Sequence, residues 1–262
     1  MEYFFFSDIH GEFDDLMKAL KESGFTGGDK QMLVSLGDNF DRGPKSKELL
    51  YWLSDQLIDE KLLSVRGNHD CNLNTLLTGK RAYDNKVDTY NGVLETLSSF
   101  ADTPLECRDY TPIEIQSIIA SISGETKMRF QFLFKESSWA VRNKNYIGVH
   151  GWFPGRAGLK TWEDAVWAKT DAIVAHPQWY LPHNPNIKVI IGHWYTGYLK
   201  QIEDAMFPQD HVVFVPGKPF FSRTGRIIGL DGATNVFHHV NVFRIQVDDD
   251  NLFYPFDKDT ID

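Results

Sequence analysis

Apolar and polar positions follow one repeated order over the first seventy residues. Tyr3 to Phe6 are continuously apolar and aromatic, the pattern of a strand covered on both faces. The run stops at Ser7-Asp8-Ile9-His10-Gly11, where glycine permits a sharp bend. Phe13, Leu16, Met17 and Leu20 then share one helical face, which Gly24 ends. Met32 to Leu36 predict a second strand, leading into Gly37-Asp38-Asn39-Phe40-Asp41-Arg42-Gly43. Behind Ser46, a good N-cap, Leu49, Leu50, Leu53 and Leu57 predict an amphipathic helix. Leu62 to Val65 predict a third strand, which delivers Arg66-Gly67-Asn68-His69-Asp70. Strand, polar turn and helix in this order make the βαβ pattern of a largely parallel sheet. Parallel strands share a direction, so the three polar turns fall on one edge, where open α/β sheets bind ligands.

From Cys71 to about Asn145 the order changes. Thr89 to Phe100 and Pro112 to Ile122 read as helices, Thr111-Pro112 as a start signal and Gly124 as the close of the second. The stretch 71–145 is expected to be a helical insert that caps or flanks a cleft. Tyr146 to Val149 and Lys188 to Ile191 read as strands ending in His150-Gly151-Trp152 and Gly192-His193-Trp194-Tyr195. Trp162 to Ala175 is expected as helix and Pro177 to Pro185 as irregular chain. Beyond, Val212 to Val215, Ile227 to Leu230, Val240 to Val247 and Leu252 to Phe256 alternate in the β manner and predict a second sheet. With no repeat, low-complexity tract or linker, residues 1–262 read as one α/β domain. The acidic end, from Asp248 to Asp262, lacks the glycine and glutamate of an EF-hand loop and reads as a solvated turn and tail.

Composition narrows the chemistry. The 262 residues are 42% hydrophobic and 24% charged, with a net charge of −9. That is ordinary for a globular chain, and the acidity disfavours nucleic acid as a partner. Cys71 and Cys107 form no CxxC pair, so they fit a reducing compartment. The N-terminus lacks the basic start of a signal peptide, and no apolar run approaches the ~20 residues of a membrane span. A cytoplasmic location without membrane partners is the expectation. Oligomeric state is not legible.

Five strand-end turns place Asp8, His10, Asp38, Asn68, His150 and His193 together, with Asp41, Arg42 and His69 beside them. Taken singly, Asp8 reads as a helix cap and Asn68 as a turn residue. His176, His183, His211, His238 and His239 keep such ordinary readings. Five glycine-flanked polar turns, each after an apolar strand, point instead to one site. Imidazole, carboxylate and amide oxygen form a borderline ligand set suited to Mn²⁺, Fe or Zn²⁺ rather than Ca²⁺ or Mg²⁺. Six donors exceed one open metal site and suit two ions sharing Asp38. Two ions roughly 3.5–4 Å apart clamp a phosphoryl group and lower the pKa of a bound water toward ~7.

Asp8-Ile9-His10-Gly11, the Gly37 to Gly43 block and the Arg66 to Asp70 block resemble the three signature blocks of PPP-type serine/threonine phosphatases. These phosphatases belong to the calcineurin-like metallophosphoesterases. His150-Gly151 and Gly192-His193 resemble the family's later histidine blocks, and the short chain is similar to its bacterial and phage branch, typified by lambda phage phosphatase. The resemblance implies two packed β-sheets flanked by helices. It implies one metal on Asp8, His10 and Asp38 and another on Asp38, Asn68, His150 and His193. It also implies Asp41 orienting His69, His69 protonating the leaving oxygen, Arg42 gripping the phosphate, and direct attack by metal-bound hydroxide. The blocks depart from the family at Asp70, where many members have Glu. They also depart at Lys169, which follows Val166-Trp167-Ala168 where an arginine is usual. Either Lys169 binds phosphate, or it is solvated and Arg156, Arg223 or Arg226 takes that place. Asp231-Gly232-Ala233 reads as structural. Tyr195 stands where nuclease relatives carry a second histidine.

The resulting expectation is a phosphomonoester hydrolase with two divalent ions, Mn²⁺ foremost, acting on phosphoserine and phosphothreonine proteins or small phosphoesters. The alternative is a dinucleoside polyphosphate hydrolase, for which Trp152, Phe153, Trp162, Trp167 and Trp194 could line an adenine pocket. A catalytically silent binding module is disfavoured, since every expected ligand is present.

Overall fold

The computed structural model describes residues 1–155, 158–168, 173, 181–206 and 218–257. Strands β1 (Glu2–Phe6), β2 (Gln31–Ser35) and β3 (Leu62–Ser64) are parallel, and β9 (Phe243–Gln246) adds antiparallel to β1, giving the order β3-β2-β1-β9. The second sheet has the order β10-β4-β5-β6-β8-β7. Its members are β4 (Ala140–Arg142), β5 (Tyr146–Val149), β6 (Lys188–Ile191), β7 (Phe220–Phe221), β8 (Ile227–Gly229) and β10 (Tyr254–Phe256). Its centre, β5-β6-β8, is also parallel.

The continuous apolar run of β1 follows from its position between two layers. Tyr3 and Phe5 pack with Val141, Ile190 and Ile228 of the other sheet, whereas Phe4 and Phe6 pack with Leu16, Leu49 and Leu50 of the helices outside. Ile147, Val149, Val189 and Ile191 alternate likewise, packing outward with Trp152, Phe153, Trp162 and Leu199. This is the two-sheet α/β sandwich that the signature blocks imply.

Helix α1 (Phe13–Glu22) and α2 (Ser46–Ile58) match their apolar patterns, but Ser46 is the first helical residue and not the cap, its Oγ lying 3.1 Å from Thr96 Oγ1. The insert holds α3 (Asn68–Leu77), α4 (Val87–Tyr90), α5 (Val93–Ala101), α6 (Pro112–Ser121) and α7 (Gly124–Glu136). Gly124 opens α7 rather than closing a helix, because Ser123 accepts from the Thr126 N–H and caps it. Leu94, Leu97, Phe100, Phe130 and Leu133 share the core of α2, so the insert flanks the first sheet as part of its helical layer.

The tail does not build a sheet of its own. Its strands divide between the two sheets, β9 closing the first and β7, β8 and β10 extending the second. A strand over Val212 to Val215 lies outside the described residues. Of the expected helix from Trp162 to Ala175, residues 169–172, 174 and 175 also lie outside them; the chain is helical over Trp162–Ala165, here α8, and Val166 to Ala168 already turn out of the helix. Thr196–Met206, here α9, is a helix that the sequence pattern did not single out. Among the described residues no helix is long and apolar enough to cross a membrane.

Candidate metal centre

Both sheets aim the carboxyl ends of their parallel strands at one place. The register aligns Phe6 with Ser35 and Ser35 with Ser64 in the first sheet, and Val149 with Ile191 and Ile191 with Gly229 in the second. The edges are then laced together. The His193 N–H donates to Asp8 Oδ2 at 2.9 Å, and His150 Nδ1 donates to the Leu36 carbonyl at 2.8 Å. A side chain at Gly192 would overlap Ser7 and Asp8, so only glycine lets the sheets approach this closely.

Backbone strain is concentrated here. Asp8, His10, Asp38, Asp41, Arg42 and His193 all have φ between 50° and 73°, in the left-handed region that costs a non-glycine residue roughly 1–3 kcal/mol. Buried hydrogen bonds hold these turns. Asp70 accepts from the N–H groups of Asp38 (2.9 Å), Asn39 (3.1 Å) and Gly67 (3.0 Å), tying the second turn to the third. The insert holds the same turn from the other side. Thr96 Oγ1 accepts the Asp41 N–H at 2.8 Å, and the Gly92 carbonyl accepts the Arg42 N–H at 2.9 Å. Thr96 and Gly92 were missed by sequence reasoning, because support across fifty residues leaves no local pattern.

Ligand-type atoms of His10, Asp38 and His69 lie within 4.8 Å of one another, as do those of Asp38, His150 and His193. The two groups share Asp38. Asp8 lies beside them, accepting from Ser7 Oγ at 2.5 Å as well as from His193. Asn68 presents Oδ1 to His150 Nε2 at 2.8 Å, and Asp38 Oδ2 lies 3.3 Å from the same nitrogen. His150 spends its Nδ1–H on Leu36, so in a neutral ring Nε2 carries a lone pair. Three acceptors then face one another, and only a proton or a cation between them resolves the repulsion. Without a metal, burial opposes the His150 imidazolium, but Asp38 outweighs burial and raises its pKa. A divalent ion relieves the same repulsion for several acceptors at once, releasing that proton. The donor set therefore fits metal ions.

His10 follows the same plan, with Nδ1 donating to the Phe40 carbonyl at 2.8 Å and Nε2 turned toward the site. Such backing fixes the tautomer a metal ligand needs. Burial, then the Arg42 charge, lowers the His10 pKa; burial, then His150, pushes His193 down to about 3. Both rings are thus held in the neutral, ligating form. Burial raises Asp8 and Asp70 to about 6, and the positive histidines around Asp38 outweigh its burial and hold it well below the carboxylate range.

His69 Nδ1 donates to Asp41 Oδ2 at 2.7 Å. Burial works against the His69 imidazolium, but the charges of Asp38 and Asp41 outweigh it and raise the pKa above 6.5. Arg42 Nη1 donates to His10 Nε2 at 2.7 Å, and Nη2 lies 3.3 Å from His69 Nε2, which places the guanidinium across the mouth of the first group.

Other sequence expectations fall differently. Lys169, Arg156, His176 and His211 lie outside the described residues. Arg226 donates to the carbonyls of Pro182, Asn184 and Ile187, so it braces that loop and is not available to a phosphate. Trp152, Phe153 and Trp162 are core residues at 1%, 1% and 4% exposure, because they cover the outer face of the second sheet. Asp231 ends β8 on the same edge as His193. Its Oδ1 accepts from the Ala233 N–H and its carbonyl from the Thr196 N–H, contacts that brace the turn.

Comparison with known proteins agrees with this geometry. A symmetrical bis(5'-nucleosyl)-tetraphosphatase of Buchnera aphidicola is 31% identical over 47% of this chain and 44% of its own length. Serine/threonine-protein phosphatase 1 of Salmonella typhimurium is 44% identical over 24% of this chain and 27% of its own. The matches thus span less than half of either relative. A crystal structure described as a candidate diadenosine tetraphosphatase superposes with a TM-score of 0.52 at 16% identity. It covers 93% of this chain and 92% of the other, a likeness of fold. Residues 1–204 match the model of the calcineurin-like phosphoesterase family, and with the site at the joined edges of its two sheets this chain belongs to that family.

Proposed function

We propose that the chain hydrolyses phosphoester and phosphoanhydride bonds at a centre of two divalent ions. The observation that carries this reading is the convergence of His150 Nε2, Asn68 Oδ1 and Asp38 Oδ2, which one cation satisfies together. Asp8, His10 and Asp38 would hold one ion, and Asp38, Asn68, His150 and His193 the other. Mn²⁺ is the first candidate, with Fe and Zn²⁺ also suited to the ligands. When bound, the ions neutralise phosphoryl charge and acidify a water.

The chain's own residues do the rest. Arg42 binds the non-bridging oxygens with its planar fork, exchanging the His10 and His69 nitrogens for phosphate. The water gives up one proton to solvent, its oxygen joins phosphorus as the bridging P–O bond breaks, and the leaving oxygen takes the proton of His69 Nε2, which solvent later restores. Asp41 holds His69 in the right tautomer and favours its protonated form.

For the substrate, the reading adopted is a dinucleoside polyphosphate, the class named for the Buchnera relatives with the longer matches. A phosphoserine or phosphothreonine protein is the second reading, favoured by the Salmonella relative and by Tyr195 in place of a second histidine. The test is metal-stripped protein with Mn²⁺ added back, offered diadenosine tetraphosphate and a phosphoserine peptide at equal concentration. Preference for the dinucleotide supports the first reading and preference for the peptide the second. Activity on neither, with ions bound, overturns both.

A further inference from the structure

Of the five aromatic residues that could line a pocket, burial leaves two near the metal centre. Trp167 is 50% exposed, just past α8, and its ring stands edge-on to that of His193 at 6.4 Å. Trp194 follows His193 directly and stacks on Tyr198 at 5.3 Å and 22°. Trp194 Nε1 donates to the Ala168 carbonyl at 2.7 Å, which binds the segment carrying Trp167 to the turn carrying His193. The rings therefore flank His193, with half-exposed Trp167 on one side of this candidate metal ligand and Trp194, stacked on Tyr198, on the other. A half-exposed indole is ordinary by itself. One braced at a candidate phosphate site offers a fixed π-face about where a nucleoside attached to that phosphate would lie, at little ordering cost.

We propose that Trp167, on a segment anchored through Ala168 to Trp194, is the stacking surface for one nucleobase of a dinucleoside polyphosphate whose phosphates are gripped by Arg42. This rests on the dinucleotide reading of the site. Recognition is through the ring face and not through base edges, so purines of either kind bind.

The experiment uses the Mn²⁺-loaded full chain with diadenosine tetraphosphate as substrate, and ADP and inorganic pyrophosphate as competing inhibitors. The two inhibitors differ by the nucleoside alone. Trp167→Ala is expected to raise KM for the dinucleotide and Ki for ADP about tenfold, the loss of one stacked base, and to leave Ki for pyrophosphate unmoved. Trp167→Phe keeps a ring and is expected to recover most of the loss. Dinucleotide cleavage with unchanged KM and ADP Ki in Trp167→Ala overturns the stacking surface and leaves the hydrolase reading standing. Equal weakening of ADP and pyrophosphate also overturns it, since that marks a general distortion. Wild-type protein that cleaves phosphopeptide but no dinucleotide overturns the substrate reading, and the stacking surface falls with it.

Discussion

The two sheet edges meet at one site but supply it unequally. The three turns of the first sheet carry Asp8, His10, Asp38, Asp41, Arg42, Asn68 and His69 on short stretches, five of them with left-handed backbone. The turns of the second sheet give one imidazole each, from His150 and His193. On the proposed roles, the first edge holds ligands, acid and phosphate grip within a few residues of one another, and the left-handed backbone at five of them aims those side chains at one place. It is held in that shape by Asp70 from one side and by the insert from the other. The second edge only has to deliver a ring to a prepared position, and a parallel strand with a glycine beside it suffices. The difference teaches that chemistry and strain accumulate on one edge while the other closes the site.

The sharpest test of whether the edges meet through ions is their removal. Chelation is expected to abolish hydrolysis entirely and Mn²⁺ to restore it; activity surviving in metal-free protein, checked by elemental analysis, would break the comparison at its root. Next comes a pair of variants. His69→Asn is expected to lower kcat about 10²–10⁴-fold on a substrate with a poor leaving group, with metal content intact. His193→Ala is expected instead to lose bound metal. If both variants lose metal, or neither does, the division between acid and ligand is wrong.

A smaller effect separates orientation from chemistry. The His69 pKa is raised, so its protonated form persists above pH 6.5. The stability it contributes is fully present below that value and lost as pH rises through the folded value. Asp41→Asn removes one of the raising charges, so the alkaline limb of the kcat–pH profile is expected to move to lower pH as kcat falls. An unmoved limb would sink the Asp41 role. Smallest is Thr96→Val, which leaves the Asp41 N–H without its buried acceptor. A loss of about 1–3 kcal/mol in thermal or denaturant unfolding is expected, with metal content unchanged. No loss would show that the insert does not brace the first edge.

The first edge was legible because its chemistry is local. Asp8 with His10, Asp38 with Asp41 and Arg42, and Asn68 with His69 are each written within a few residues after an apolar run, and the turn itself brings them together. His150 and His193 were legible only as single residues beside glycines. The acceptor convergence that gives them meaning needs Asn68 and Asp38 from the other sheet. The aromatic positions show the limit most clearly. Trp152, Trp162, Trp167 and Trp194 look alike in sequence, yet the first two fill the core and the last two flank His193. Hydrophobicity sets whether a side chain can be buried, but which surface it meets depends on the layer across from it.

By itself, the sequence determined the βαβ order and the identity of the polar turns, since these follow from periodicity and short-range spacing, and the resemblance carried by those turns implied the two-sheet class. Only the tertiary structure decided that the tail strands divide between both sheets, that the insert supports Asp41 and Arg42, and which tryptophan stands open beside the metal centre. Those outcomes depend on contacts between residues from 26 to over two hundred positions apart, and no local pattern records such contacts.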